Sequence, residues 1–344
     1  MARFDETRYW HRVYRIVLTQ GVGEDARKII DYDSEKAIEN GHEPFDIRFD
    51  IDVACGITPK FTLDIMSVGK DAMTALTRWN IAECLSENYN LKIFAGYKKN
   101  RGAECIANGL VQSILPVGIP PDMGLHFDCI AGGNFDTAIY NPKYGNPGGS
   151  DSEGQDDESP NLESQDVGDE PEVAADKAVN AACNQIGAKK ELRVDLSETA
   201  AGDGTPTPID CKGKTPSQII QETSDKYNIE IATQTDREDG KTTVVVTGKN
   251  GETIERGVKE KLSAKTGLLS ISCDAPDYMN ASATRLLDPY LQMFDTCEVD
   301  TKFLPSFDGR FFVTGVHHSG HFRGNEWKTE LKLLKISNGE GATS

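Results

Sequence analysis

The residues best able to do chemistry in this chain crowd into one stretch near its end, VHHSGHFRGNEW, which holds His317, His318 and His321. Imidazole nitrogens are common metal donors, so a metal site is the first chemistry to weigh. Successive side chains of a strand leave opposite faces, so adjacent His317 and His318 can reach one ion only where a bulge intervenes. Gly315, Gly320 and the FRGNEW segment leave room for a bulge or hairpin, which keeps His317, His318 and His321 as candidate ligands on that condition alone; otherwise no metal and no cofactor is expected. Arg323, Gly324, Asn325, Glu326 and Trp327 read as a structural motif, a polar turn that runs into an aromatic anchor. Counting alternately from Trp327 sets Trp327, Thr329, Leu331 and Leu333 on one face and Lys328, Glu330 and Lys332 on the other, a core-facing strand.

Other catalytic chemistries find no footing. A hydrolase needs a nucleophile beside a base or two converging carboxylates, and the chain has no GxSxG, HExxH or Cys/His signature. No catalytic residue is assigned and no enzymatic activity expected, although converging carboxylates leave no mark in sequence. Residues 19–30 (TQGVGEDARKII) place two glycines after a strand but lack the third glycine and the Lys-Ser/Thr pair of a phosphate-binding turn, so they read as a strand connection. Eight cysteines stand singly, without a CxxC pair or a histidine at zinc-site spacing. Cys105, Cys129 and Cys273 fall inside predicted strands and read as small buried apolar residues.

A formal charge of -18 and a pI near 4.8 oppose tight, backbone-led binding to nucleic acid. No apolar run approaches the roughly 18 to 20 residues that span a bilayer, and the charged N-terminus offers no secretion signal, so a soluble protein without membrane insertion is expected.

The elements that would position these residues form a series that occurs twice. The first copy reads strand 61–67, helix 70–79, then strands 91–97, 104–115 and 124–130. The second reads 267–273, 283–293 as the helix, then 297–303, 309–320 and 326–334. Identity between the copies is negligible, and the order and spacing of elements carry the repeat. Residues 45–54 (FDIRFDIDVA) alternate, with Phe45, Ile47, Phe49, Ile51 and Val53 on the dry face. The chain divides into a first small antiparallel β-barrel (1–145), an acidic Gly/Pro/Ser-rich linker or exposed loop (146–173), a small α/β domain (174–248) whose second helix is capped by Thr215 and opened by Pro216, a second barrel (249–337) and a polar tail (338–344). The fold class is mixed and mainly β.

Three segments carry a family resemblance: EPFDIRFDIDV, LKIFAGYKKNRGAECIANGLVQSI and, most specifically, DGRFFVTGVHHSGHFRGNEWKTELKLL. In these the chain resembles the baseplate hub proteins of contractile-tailed bacteriophages and, more distantly, the hub portion of type VI secretion spike proteins. The acidic stretch departs from that pattern. The resemblance implies two tail-tube-like barrels per subunit and a homotrimer whose six modules form a ring. That ring would adapt the sixfold tail tube to the threefold central spike, with baseplate wedge and tape measure proteins as further neighbours. It implies a structural virion protein of the tail baseplate, assembled in the host cytoplasm. The acidic balance suits a channel wall that repels the phosphate backbone of a passing genome. A tail-tip enzyme cutting the cell wall and a hexameric tail-tube subunit are the alternatives.

Overall fold

Alternating segments dominate the chain, and strands follow from them. In the computed structural model the first half runs β1 (Arg12–Gln20), β2 (Arg27–Asp33), helix α1 (Ser34–Glu39), β3 (Ile47–Val53), β4 (Lys60–Met66), helices α2 (Lys70–Leu76) and α3 (Ile81–Ser86), β5 (Tyr89–Tyr97), β6 (Gly102–Ile119) and β7 (Asp122–Ala131). A small mixed unit holds β8 (Lys189–Leu192), helix α4 (Pro216–Tyr227), β9 (Ile229–Thr235) and β10 (Thr242–Gly248). The second half runs β11 (Glu260–Leu262), β12 (Leu268–Cys273), β13 (Asn280–Leu286), β14 (Thr296–Val299), β15 (Gly309–His321) and β16 (Trp327–Lys335). The structure describes residues 11–21, 26–53, 60–78, 81–119, 122–131, 179–180, 183, 188–193, 216–248, 257–273, 279–302 and 305–336. The acidic stretch, Thr215, Cys55, Cys211 and the polar tail lie outside them.

The two halves repeat one layout. The first pairs its strands in the order β3-β4-β7-β6-β5 and the second in the order β12-β13-β16-β15-β14, every pair antiparallel. Each long strand carries a bulge at the same place, between Val111 and Ser113 where β6 faces β7 and between Val313 and Gly315 where β15 faces β16. A shared irregularity of this kind survives when sequence identity has gone, because it sets where a strand turns its edge.

The layout corrects the alignment of the repeat at its start. Residues 283–293 are not a helix: β13 runs to Leu286, and a turning segment follows that buries Leu287, Leu291, Met293 and Phe294. Pro289 lacks a backbone N–H and disfavours helix at the residue before it, and Asp288 spends its carboxylate on the Tyr290 N–H at 2.9 Å, a local turn bond that competes with helix. This turn stands where the first half has α2 and α3, and β12 corresponds to β3 rather than to β4.

Neither half closes on itself as a barrel among the described residues. The pairings form one open path, β12-β13-β16-β15-β3-β4-β7-β6-β5-β1-β2, with β14 and β11 on the other flank of β15. The first half curls until β1 and β3 share a core, and side chains bridge the gap at β2. Tyr14 donates its hydroxyl to the Phe45 carbonyl at 2.7 Å, and the Phe45 N–H donates to the Tyr32 hydroxyl at 3.2 Å. Burial, then the nearby Tyr32, raises the Tyr14 pKa well above the usual tyrosine range, so the hydroxyl stays a donor.

Strand alternation places the cores. Ile47, Phe49 and Ile51 of β3 are buried and Arg48, Asp50 and Asp52 exposed, as FDIRFDIDV requires. They join Leu63, Leu91, Phe127 and, from the second half, Leu287 and Trp327 in the first core. Val299, Phe311, Val313, Leu331 and Leu333 build the second. The mixed unit, where β8 runs parallel and β9 antiparallel to β10, adds Ala232 and Val245 to a third cluster with Met293, Phe294 and Phe312. It ties both halves together: Lys92 reaches the Asp239 carbonyl at 2.7 Å and Gln292 the Thr235 carbonyl at 2.7 Å. Cys105 and Cys129 fill core space, and burial pushes the Cys105 thiol up to about 12.

One buried charge cluster fixes the corrected turn. The Arg285 guanidinium, with no exposed surface, meets Glu260 at 2.6 Å and Asp288 at 3.0 Å and donates to the Thr266 carbonyl at 3.0 Å. Removing one partner of a buried ion cluster leaves opposite charges uncompensated. Arg285→Met is therefore expected to cost about 3–5 kcal/mol of unfolding free energy, read as a lower midpoint in urea at unchanged slope.

Candidate functional site: the seam between the halves

The surface where the two halves meet is built from the segment that the sequence singled out. β15 is the shared element. Its first residues pair with β14, and beyond the bulge the same edge pairs with β3 of the first half, from Val316 opposite Val53 to His321 opposite Arg48. The Phe322 N–H donates to the Ile47 carbonyl at 2.9 Å and continues that ladder. A bulge shifts the phase of a strand by one residue, which lets one edge serve two partners in succession.

The turn between β15 and β16 grips the first half with its backbone. Arg12, at the start of β1, donates from Nη1 to the carbonyls of His321 (3.0 Å), Phe322 (3.1 Å) and Gly324 (2.6 Å). Carbonyls that converge outside a ladder need a donor with several hydrogens, and a guanidinium supplies it. Gly324 lies against the His321 ring so closely that a Cβ there would overlap it. The Arg323 N–H donates to Asp46 at 3.2 Å, while its guanidinium reaches the Pro44 carbonyl at 2.8 Å and Glu43 at 3.0 Å. Asn325 and Glu326 are exposed at the tip, where the Glu326 carbonyl accepts the His321 N–H at 2.7 Å and closes the hairpin.

Trp327 is the hydrophobic centre of the seam. Its indole Nε1 donates to the Gly96 carbonyl at 3.2 Å, and its own carbonyl accepts from the Tyr97 hydroxyl at 3.3 Å and the Leu287 N–H at 3.0 Å. Phe49 meets the ring edge to face with centroids 5.1 Å apart, and Arg12 lies 5.6 Å from the ring centre. A buried indole is held when both its apolar body and its one donor are satisfied, and both partners come from the other half.

The three histidines go to three separate places. The bulge lies at residue 314, so His317 and His318 face opposite sides of β15. His317 faces solvent and pairs with Asp50 at 3.2 Å, and His321 pairs with Asp46 at 3.0 Å. His318 is buried with Nδ1 2.8 Å from the Thr329 hydroxyl, and burial, with His317 beside it, depresses its pKa to about 3. Among the described residues no group of three or more His, Cys, Asp or Glu is arranged to hold a metal ion. Sequence reasoning missed Arg12, Tyr97 and Gly96, whose partners lie more than two hundred residues away and leave no local pattern.

No protein-family model and no curated protein sequence matches this chain. Solved structures do. The tail protein from Neisseria meningitidis MC58 aligns with a TM-score of 0.52 and 13% identity over 94% of this chain and 96% of its own. The 43 kDa tail protein of prophage MuSo2 from Shewanella oneidensis aligns with 0.51 and 11% over 93% and 96%. A chain of the Francisella PdpA-VgrG complex aligns with 0.50 and 8% over 96% of this chain and 53% of that one. At such identities what is shared is the fold. The chain has the fold of these tail proteins, which agrees at that level with the family its sequence resembles.

Trp327→Ala should lower stability by about 3–5 kcal/mol in chemical denaturation. Arg12→Ala, which removes the guanidinium donor from the carbonyls of Phe322 and Gly324 and leaves that of His321 with the Gly324 N–H, should cost about 1–3 kcal/mol and speed amide exchange across residues 321–326. His318 makes stability depend on pH. The unfolded histidine titrates near 6.5 and the folded one near 3, so the unfolded state binds more protons between those values and stability falls as pH drops through that window. Denaturation at pH 7, 5 and 4 should show this fall in the wild type and a shallower one in His318→Gln.

Proposed function

We propose that this chain is a structural protein of a contractile phage tail, a baseplate hub whose three copies form a ring of six similar modules between the sixfold tail tube and the threefold central spike. The observation that carries the reading is the seam: two four-stranded runs of the same order, β12-β13-β16-β15 and β3-β4-β7-β6, already joined edge to edge inside one chain. A join between like modules that is neither end-to-end symmetric nor self-complementary propagates, and it closes into a ring where the rotation per module allows. The tail-protein fold supports the same assignment. In this reading the protein catalyses nothing; its tail-tube and spike partners, with wedge and tape measure proteins beside them, would be bound through broad surfaces.

The face of the eight-stranded run turned away from the cores is the natural channel wall of such a ring. It carries Asp50, Asp52, Asp64, Asp128 and Glu330 against Arg48, Lys60, Lys328 and Lys332, with His317 and His126 among them. The wall is mixed in sign rather than strongly acidic, so little of the chain's net charge of -18 resides there. His126 is held between Asp64 at 2.6 Å and Asp128 at 3.1 Å; burial works against its charge, but these bonds outweigh it and raise its pKa. Native mass measurement of the purified chain tests the reading. Three copies, with a ring in electron micrographs, are expected; six copies would indicate a tail-tube subunit, and clearing of cell-wall material by this chain alone would indicate an enzyme.

A further inference from the structure

Among the described residues the seam inside the chain has an unfilled counterpart at each end of the eight-stranded run, and we propose that a second copy of this chain fills it, with β12 of one copy pairing antiparallel with the outer part of β6 in the next. The inference rests on the ring reading above and adds the surface, the partner and the register.

The register follows from the repeat. Aligned on their bulges, β6 and β15 match Val117 with Ser319, Gly118 with Gly320 and Ile119 with His321. Carried through β7 and β16 to β4 and β13, the same alignment matches Arg48 with Ser270, Phe49 with Ile271 and Asp50 with Ser272. Inside the chain Ser319, Gly320 and His321 face Asp50, Phe49 and Arg48. Between copies, Val117, Gly118 and Ile119 would then face Ser272, Ile271 and Ser270.

Both edges are suited to this. β12 ends the path of pairings, and its own Leu269 is 58% exposed. An exposed strand edge is a template for another strand unless something blunts it. The Phe322 bond to Ile47 sets the phase of the internal ladder, so that Gly320 and Phe49 exchange both backbone bonds. Gly118 and Ile271 hold those positions in the other pair. Gly320 has no room for a Cβ because the Phe49 ring lies on it. Gly118 likewise places no Cβ against Ile271 and in the single chain is exposed, although its φ is +92°, a left-handed backbone that Gly320 does not share. Register is also limited from the inner side. Arg78 and Ile114 exchange both backbone bonds, at 2.8 and 3.2 Å, and Pro116 has no N–H, so an incoming strand can use β6 only from Pro116 outward. The two edges differ, so the contact is head to tail.

Val117 and Ser272 would form a pair without mutual backbone bonds, on one face, where Cβ atoms approach closely enough for a disulfide. The full-length chain carrying Val117→Cys and Ser272→Cys, mildly oxidised, is expected to run as a covalent trimer on a non-reducing gel. Val117→Cys with Ser270→Cys, shifted by two residues, should give at most about a tenth as much. Ile271→Pro removes an N–H aimed at the free edge and none aimed at β13 and should weaken assembly about tenfold or more; because Ile271 also packs against the second core, Ile271→Ala is the control, expected to lower the melting temperature of the monomer while leaving assembly intact. A native trimer that forms no disulfide, or forms it only in the shifted pair, would overturn the strand register and leave the ring standing. A chain that stays monomeric at every concentration would overturn both.

Discussion

Every strand that buries one face must still satisfy two rows of backbone donors and acceptors, and this demand at the edges organises the molecule. Side-chain burial alone would be met by two separate curled sheets, each with its own core. The edge of β15 beyond its bulge would then stand bare, and so would the outer edge of β3. Joining them satisfies both rows at once and converts two sheets into one. The cores, the mixed unit and the turn at 321–326 are arranged around that join.

What keeps the join in register is a division of labour between apolar and polar contacts. Trp327 crosses from the second half into the first core and supplies the non-directional part. Arg12, Tyr97 and Gly96 supply direction, because each bonds a backbone group or the indole N–H at one position only. A one-residue slip would present the wrong face of β3 to the core, placing Asp50 where Phe49 now sits.

Much of this was legible in the chain because it is written locally. Alternation marked β3 and β16 residue by residue, and the order of elements revealed the repeat. The misassigned helix at 283–293 shows where local reading fails. Leu287, Leu291 and Phe294 have helical spacing because a buried turn must also fill a core, and the deciding signals were Pro289 and the charged pair Arg285 and Asp288. Barrel closure was not legible either, since it depends on which distant edges meet. The three histidines were visible as chemistry, yet their separation depended on the bulge falling at residue 314 rather than between His317 and His318. Arg12 carries no mark in sequence that sets it apart from any other arginine on a strand.

The bulge in β15 makes one unbroken polypeptide segment a member of both halves. Two bodies linked by a loop can hinge, and two linked by side chains can slide; here a shear displacement would have to tear ladder bonds along a continuous strand. The tandem modules therefore form a single stiff body with no slip plane between them, and force applied to one is borne by the other through the main chain.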